Sequence, residues 1–205
     1  LALRPGKILK IISWNLLHTG GASTANVQAM IAAEQPDLFL MQEATARLDA
    51  LPEAIGGFYT RDVLPGRLHG LACWSRQKLK DPARTLTLQR GMVVRRVCQI
   101  LDFGDIGIAN VHLSHGQFLN RRQLRRIAKI LPPHAAILGD CNMVGAPLLP
   151  GFADAGPRTP THNAARFVPL RLDRCFIRGL RCESSKVLLR GESDHRPIMV
   201  TLSAG

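Results

Sequence analysis

The sequence predicts an α/β (α+β) fold in which strands outnumber helices, and three observations carry that expectation. Residues 7–43 read strand, helix, strand, a βαβ-like opening. Residues 70–113 read as short strands joined by turns, the pattern of antiparallel pairing. Short apolar runs recur near both ends of the chain and stop at polar residues, as buried strands do when they reach a surface. The 205 residues fit one domain, 1–205, with no internal repeat, low-complexity tract or linker to divide them.

Taken in order, Lys7 to Trp14 is β-branched and apolar enough for a central strand, and it stops at Asn15 before the loop sequence Leu16-Leu17-His18-Thr19-Gly20-Gly21. Ser23 or Thr24 caps a helix whose apolar period, Val27, Met30 and Ile31, ends before Pro36. Asp37 to Glu43 then forms a second buried strand with a carboxylate at its end. An unpaired buried charge costs several kcal/mol by order of magnitude. Glu43 therefore either emerges to cap a helix over Thr45–Ala54 or sits in a cleft and binds a cation.

Strands are expected over Gly70–Ser75, Thr85–Gln89, Met92–Ile100 and Ile106–Leu113, with turns at Asp81-Pro82, Arg90-Gly91 and Asp102 to Asp105. The last of them carries His112 near its end, where a core histidine bonded to a backbone carbonyl is the plain alternative to a functional one. Gln117–Leu131 has Leu124, Ile127, Ala128 and Leu131 at helical spacing and is closed by Pro132-Pro133. Its other face, Arg121, Arg122, Arg125, Arg126 and Lys129, is either a solvated surface or a phosphate contact at its first turn.

Ala135–Leu138 is a buried strand ending in Gly139-Asp140-Cys141-Asn142. Asp140 and Asn142 face one side if strand geometry persists, and Gly139 permits close backbone approach. Met143–Val168, rich in Pro and Gly, reads as loop and as the place for substrate-specific contacts. Leu170–Ile177 and Lys186–Leu189 read as strands. The motif Ser193-Asp194-His195-Arg196-Pro197 then opens a last buried strand, Ile198–Leu202.

Composition narrows the partners. Lys and Arg number 27 against 15 Asp and Glu, giving +12. That excess favours an anionic partner such as nucleic acid, a phospholipid surface or a phosphorylated metabolite, with general solubility charge as the bland reading. No apolar run approaches the roughly 20 residues that cross a bilayer. Five scattered cysteines without a C-x-x-C pair argue against a zinc knuckle and for a reducing compartment, so the cytoplasm is favoured. Leu1–Lys10 carries neither an initiator Met nor a signal h-region, consistent with a missing native leader. An aromatic content of 5% argues against a stacking platform for single strands.

The polar residues at strand ends, Asn15, Glu43, His112, Asp140, Asn142, Asp173, Asp194 and His195, together describe one mouth of a sheet sandwich lined with metal ligands and acid–base groups. Carboxylate and amide oxygens, without thiolates or paired histidine spacing, suit Mg²⁺ or Mn²⁺ better than zinc.

On the blocks Ser13-Trp14-Asn15, Gln42-Glu43, Val111-His112-Leu113, Gly139-Asp140-Cys141-Asn142, Leu172-Asp173-Arg174 and Ser193 to Pro197, the sequence resembles the endonuclease/exonuclease/phosphatase superfamily, the DNase I-like and exonuclease III-like fold. The resemblance implies a four-layer α/β/β/α sandwich of two mixed sheets flanked by helices, and metal-dependent phosphoester hydrolysis. It also implies Glu43 as principal metal ligand with Asn15 and Asp194 assisting. Asp140 would orient or deprotonate water, Asn142 would position it, Asp173 would orient His195, and His112 would contact the phosphate or leaving group. Whether Asp140 or His195 is the base stays open at this point. Three departures stand out. Leu17 occupies the place where many family nucleases carry an acid, Cys141 and Cys175 replace larger residues, and the chain lacks room for long DNA-clasping insertions.

The expected function is a phosphodiesterase acting on nucleic acid, with Arg121 and Arg122 as candidate substrate contacts. A phospholipid head group or small phosphate ester is the alternative substrate. A catalytically silent binding module is a third reading, opposed by the number of charged groups assembled.

Overall fold

The computed structural model describes residues 8–91, 94–164 and 168–205. Two six-stranded mixed sheets pack face to face with helices outside, the α/β/β/α sandwich expected from the sequence. In the first sheet β1 (Leu9–Asn15) and β2 (Leu38–Thr45) run parallel, joined by α1 (Thr24–Glu34). Around them lie β3 (Phe58–Val63), β4 (His69–Ser75), β13 (Leu180–Val187) and β14 (Ile198–Ala204), in the order β13-β14-β1-β2-β4-β3.

The second sheet repeats the plan. Its parallel pair, β7 (Ile106–His112) and β8 (His134–Asp140), is joined by α3 (Gln117–Ile130). With β5 (Arg84–Thr87), β6 (Val97–Phe103), β9 (Ala153–Asp154) and β12 (Asp173–Arg178) the order is β5-β6-β7-β8-β12-β9.

Alternation along the strands builds the layers. Ile11, Leu38, Leu40, Ile108, Ala136, Leu138, Cys175 and Val200 meet between the sheets. The opposite face of the first sheet, with Trp14, Phe39 and Met41, receives Val27 and Ile31 of α1. The outer face of the second, with Val111, Ile137 and Phe176, receives Leu124 and Ile127 of α3.

Near one end the inter-sheet core turns polar. Buried Asn110 donates to the carbonyls of Met41 and Ala72 in the facing sheet and to Gln99 Oε1, and accepts from Gln42 Nε2 at 2.8 Å. Gln42 also donates to Ser13 Oγ. The Asn110 amide finds four partners in this way, while Gln42 Oε1 and Gln99 Nε2 stay buried without a partner among the described residues.

Several local expectations need correction. The helix over Thr45–Ala54 is a 3₁₀ turn, Ala46–Leu48, followed by α2 (Leu51–Ile55), because Pro52 is tolerated only in a helix's first turn. Strand β3, missed in the sequence, has the half-exposed profile of an edge strand rather than an apolar run. Of the expected strand Met92–Ile100, residues 92–93 lie outside the described part, and the strand starts only at Val97. Lys7 likewise lies outside it. The final hairpin begins at Leu180, not Lys186, since β13 is largely exposed and carries no apolar signal. The Met143–Val168 segment holds β9 and, with β10 (His162–Ala164) and β11 (Val168–Leu170), a small separate hairpin, residues 165–167 lying outside the described part.

Candidate active site

Both parallel pairs deliver their carboxyl ends to the same edge of the sandwich, where connections leave the sheet and polar side chains reach a shared cleft. Parity explains which residues face it. Ile11, Ser13 and Asn15 share the inner face of β1; Ile108, Asn110 and His112 that of β7; Ala136, Leu138 and Asp140 that of β8. The antiparallel neighbour β12 starts at the same level, with Asp173 paired to Asp140 and His112 paired to Asp140 from the other side. One rung thus aligns His112, Asp140 and Asp173 across three strands. Gly139 makes this possible: a Cβ there would lie 1.9 Å from the Val111 carbonyl oxygen.

Asp140 is the hub. Its Oδ2 accepts from Asn15 Nδ2 at 3.0 Å and lies 3.3 Å from His112 Nε2 and 3.8 Å from His195 Nε2. Its Oδ1 accepts from the Asn142 backbone N–H at 2.9 Å. Strand geometry does not persist to Asn142, which adopts φ 46 beyond the end of β8. Its amide instead folds back, donating to the Leu113 carbonyl and, at 3.4 Å, to Asp140 Oδ2.

His195 Nδ1 meets Asp173 Oδ2 at 2.8 Å, and both side chains are buried. The backbone holds His195 in place: Trp14 Nε1 donates to its carbonyl, and Ser193 Oγ accepts its N–H while donating to the Asn15 carbonyl at 2.6 Å. Burial opposes a charge on His195, but Asp173, Asp140 and Asp194 outweigh it and raise its pKa to about 10. His112 goes the other way. Burial, with Arg96 and His195 adding and Asp140 opposing, pushes it down to about 3, so it is a neutral imidazole.

Glu43 breaks the parity of its strand. It sits at a bulge between Gln42 and Ala44, in the left-handed region at φ 58, which is costly for a residue with a Cβ and re-aims its side chain toward the cleft. The strand resumes to Thr45, so Glu43 lies within β2 rather than at its end. His18 bonds Glu43 Oε2 through its backbone N–H at 3.1 Å and through ring Nδ1, while His112 Nδ1 lies 4.0 Å from Oε1. Burial would raise the Glu43 pKa, but the His18 hydrogen bonds and the charges of His18 and His69 hold it below the usual value.

The donor chemistry fits a partly hydrated divalent cation. Glu43 offers an ionised carboxylate whose Oε1 has no hydrogen bond among the described residues. Asn15 Oδ1, which among the described residues takes only the Leu17 N–H at 3.2 Å, offers an amide oxygen at the same end of the adjacent strand β1.

Asp194 stands differently. Its polar contact is with His162, 3.8 Å away, and its Oδ1 is buried without a partner. With His195 these two form a cluster whose ligand atoms lie within 4.8 Å of one another. Arg121 spends its guanidinium on the carbonyls of Gln117, Val144 and Ala146, clamping the loop after β8, while Arg122 is exposed.

Three residues escaped the sequence reading: His18, His162 and Arg96. Arg96 is 6% exposed, its charge acts on Asp140 and Glu43, and its guanidinium has no hydrogen bond among the described residues. The Arg95-Arg96 pair before an apolar strand was the available signal. His18 and His162 lie in loops where nothing marks one histidine above another.

A profile of the Endonuclease/Exonuclease/phosphatase family matches residues 12–195, which include all the polar side chains of the cleft from Asn15 to His195. The chain belongs to that family. Its members are phosphoester hydrolases that generally use divalent metals. Among solved structures in this family's fold, D. rerio TDP2 complexed with single strand DNA product is similar at 16% identity and TM-score 0.77, covering 97% of this chain and 100% of that one. An endonuclease/exonuclease/phosphatase from Bacteroides vulgatus gives 15% and 0.78, covering 97% and 100%. The 3' phosphatase NExo from Neisseria, bound to product DNA hairpin, gives 18% and 0.68, covering 94% and 98%. No curated protein matches the sequence.

Proposed function

We propose that the protein is a phosphodiesterase that hydrolyses nucleic acid by attack of water on phosphorus, with Mg²⁺ or Mn²⁺ as its ion. The observation that carries the reading is the setting of Asp140, an ionisable carboxylate between two imidazoles and two amides in a cleft with Glu43 opposite. The net charge of +12 and the DNA bound by the TDP2 and NExo relatives support nucleic acid as the substrate class.

When bound at Glu43 and Asn15, assisted by Asp194, the ion supplies charge neutralisation at a nonbridging phosphate oxygen. Asp140 accepts the proton of the attacking water. Asn142 and Asn15 fix its two oxygens, which turns one lone pair toward the nucleophile. His195, kept cationic by Asp173, stabilises the negative charge that builds on phosphorus, so the basic role falls to Asp140. His112, neutral, turns its one N–H toward Asp140 Oδ2 and so helps to hold the base in place at the phosphate. Arg96 adds positive charge beside Asp140 and Glu43, and Arg122 is an exposed candidate for a substrate contact.

The test is hydrolysis of plasmid DNA, RNA, bis-p-nitrophenyl phosphate and phospholipid vesicles with added Mg²⁺ or Mn²⁺. Metal-dependent cleavage of the nucleic acid and the diester is expected, falling on the order of 10²–10⁴-fold in Asp140→Asn and His195→Ala. Activity confined to vesicles or phosphomonoesters would transfer the substrate to the lipid or small-ester class. Rates unchanged in both variants would overturn the site.

A further inference from the structure

The immediate neighbours of Glu43 are nitrogen donors. Oε2 lies against His18 Nδ1, and Oε1 faces His112 Nδ1 at 4.0 Å. A second carboxylate is not offered from the usual direction. Leu17 stands two positions after Asn15, and both oxygens of Asp140 are engaged by Asn15, His112 and Asn142. Among the described residues, the cluster of three acidic, histidine or cysteine ligand atoms within 4.8 Å leaves Glu43 out.

His18 is held where it is. Its ring stacks on His69 with centroids 3.9 Å apart and planes at 22°. The loop that carries it is closed by Leu16 N–H on Gln42 O, Gly21 N–H on Leu17 O and Ala22 N–H on Leu16 O. Leu17 turns the chain at φ 56, which brings the next residue over Glu43. An imidazole lone pair and a carboxylate oxygen repel unless a proton or a metal cation lies between them. A ring proton fills that place when no ion is bound, and a cation can replace it, with the ring plane set beforehand by His69.

We propose that His18, through Nδ1, ligates the ion held at Glu43, giving this centre an imidazole nitrogen and shifting its preference toward Mn²⁺ and later first-row ions over Mg²⁺. The inference rests on the reading of Glu43 as the metal-holding carboxylate. Oxygen-only sites suit Mg²⁺, whereas imidazole favours transition metals. Water and substrate oxygens would complete the shell, since Glu43, Asn15, Asp194 and His18 still leave positions open.

The experiment is Mn²⁺ binding by the whole chain, followed by calorimetry and by pulsed electron paramagnetic resonance of the bound ion, in wild type, His18→Ala, His18→Gln and Glu43→Gln. His18 is exposed enough that both of its variants retain the fold, checked by circular dichroism. Expected are a ¹⁴N coupling of directly bound imidazole in wild type, its loss in both His18 variants, and Mn²⁺ affinity weakened roughly tenfold or more in them while Mg²⁺ affinity changes far less. Mn²⁺ bound in a Glu43-dependent way without nitrogen coupling, or with coupling that survives His18→Ala, would overturn the inference and leave Glu43 as the ligand. Mn²⁺ binding untouched by Glu43→Gln would overturn the reading of Glu43 itself.

Discussion

Replacing Asp173 with Asn removes one charge while keeping a carbonyl to accept from His195 Nδ1, and turns an amide toward the position where Oδ1 has no partner. The cost is therefore electrostatic. The pKa of His195 is raised to about 10 from the ordinary 6.5 of an imidazole. At about 1.36 kcal/mol per unit, that shift corresponds to a stabilisation on the order of 5 kcal/mol. Asp173 is the largest of the three carboxylate contributors, ahead of Asp140 and Asp194, so its share is at least about a third of that, on the order of 2 kcal/mol or more.

The sign follows from linkage. A raised pKa in the folded state gives a stabilisation fully present below pH 6.5 and lost as the pH climbs to about 10. The Asp173→Asn penalty should be largest near pH 6 and fade toward pH 10. Urea unfolding in chelator-treated buffer across that range reads it, and the His195 ring proton shift gives the pKa directly. A penalty that stays constant with pH, or a His195 pKa unmoved in the variant, would refute the assignment of the charge to this pair.

Gly139→Ala should be among the most damaging single changes, costing about 3 kcal/mol or more in denaturant unfolding, because its Cβ would strike the Val111 carbonyl oxygen on the neighbouring strand, a backbone atom that cannot swing away. Acid sensitivity should come from His112. With a folded pKa near 3, it stabilises the fold above pH 6.5 and loses that contribution as pH falls, so His112→Gln should flatten the decline of the urea-unfolding free energy between pH 6 and 4 by up to about 1.4 kcal/mol per pH unit.

Much of this was legible in the sequence, for a definite reason. Asn15, His112 and Asp140 continue the alternation of apolar strands, so once the strands are read the side of each residue follows. The Asp173–His195 pair, expected from the family resemblance, forms at 2.8 Å. Glu43 sits out of phase with Leu38, Leu40 and Gln42 and reaches the cleft only through a bulge and a left-handed backbone, which periodicity does not encode. His18 and His162 are brought in by loop closure, and Asn142 by a turn where strand geometry was expected. Strands β3 and β13 went unread or were shortened because exposed strands carry little apolar signal.

The polar bridge around Asn110 bears on how the cleft keeps its dimensions. Asn15 and Glu43 belong to one sheet, with His195 on the segment that leads into its strand β14, and His112, Asp140 and Asp173 belong to the other. An apolar interlayer resists separation but is nearly indifferent to sliding, since one greasy contact replaces another. Asn110 removes that freedom, because its amide meets two carbonyls and the Gln42 side chain at fixed points of the opposite layer, while Gln99 of its own sheet holds it from the side. The two halves of the reactive set are thereby keyed like the halves of a mould, and the gap between Glu43 and Asp140 is dictated below the cleft floor rather than by the loops at its rim.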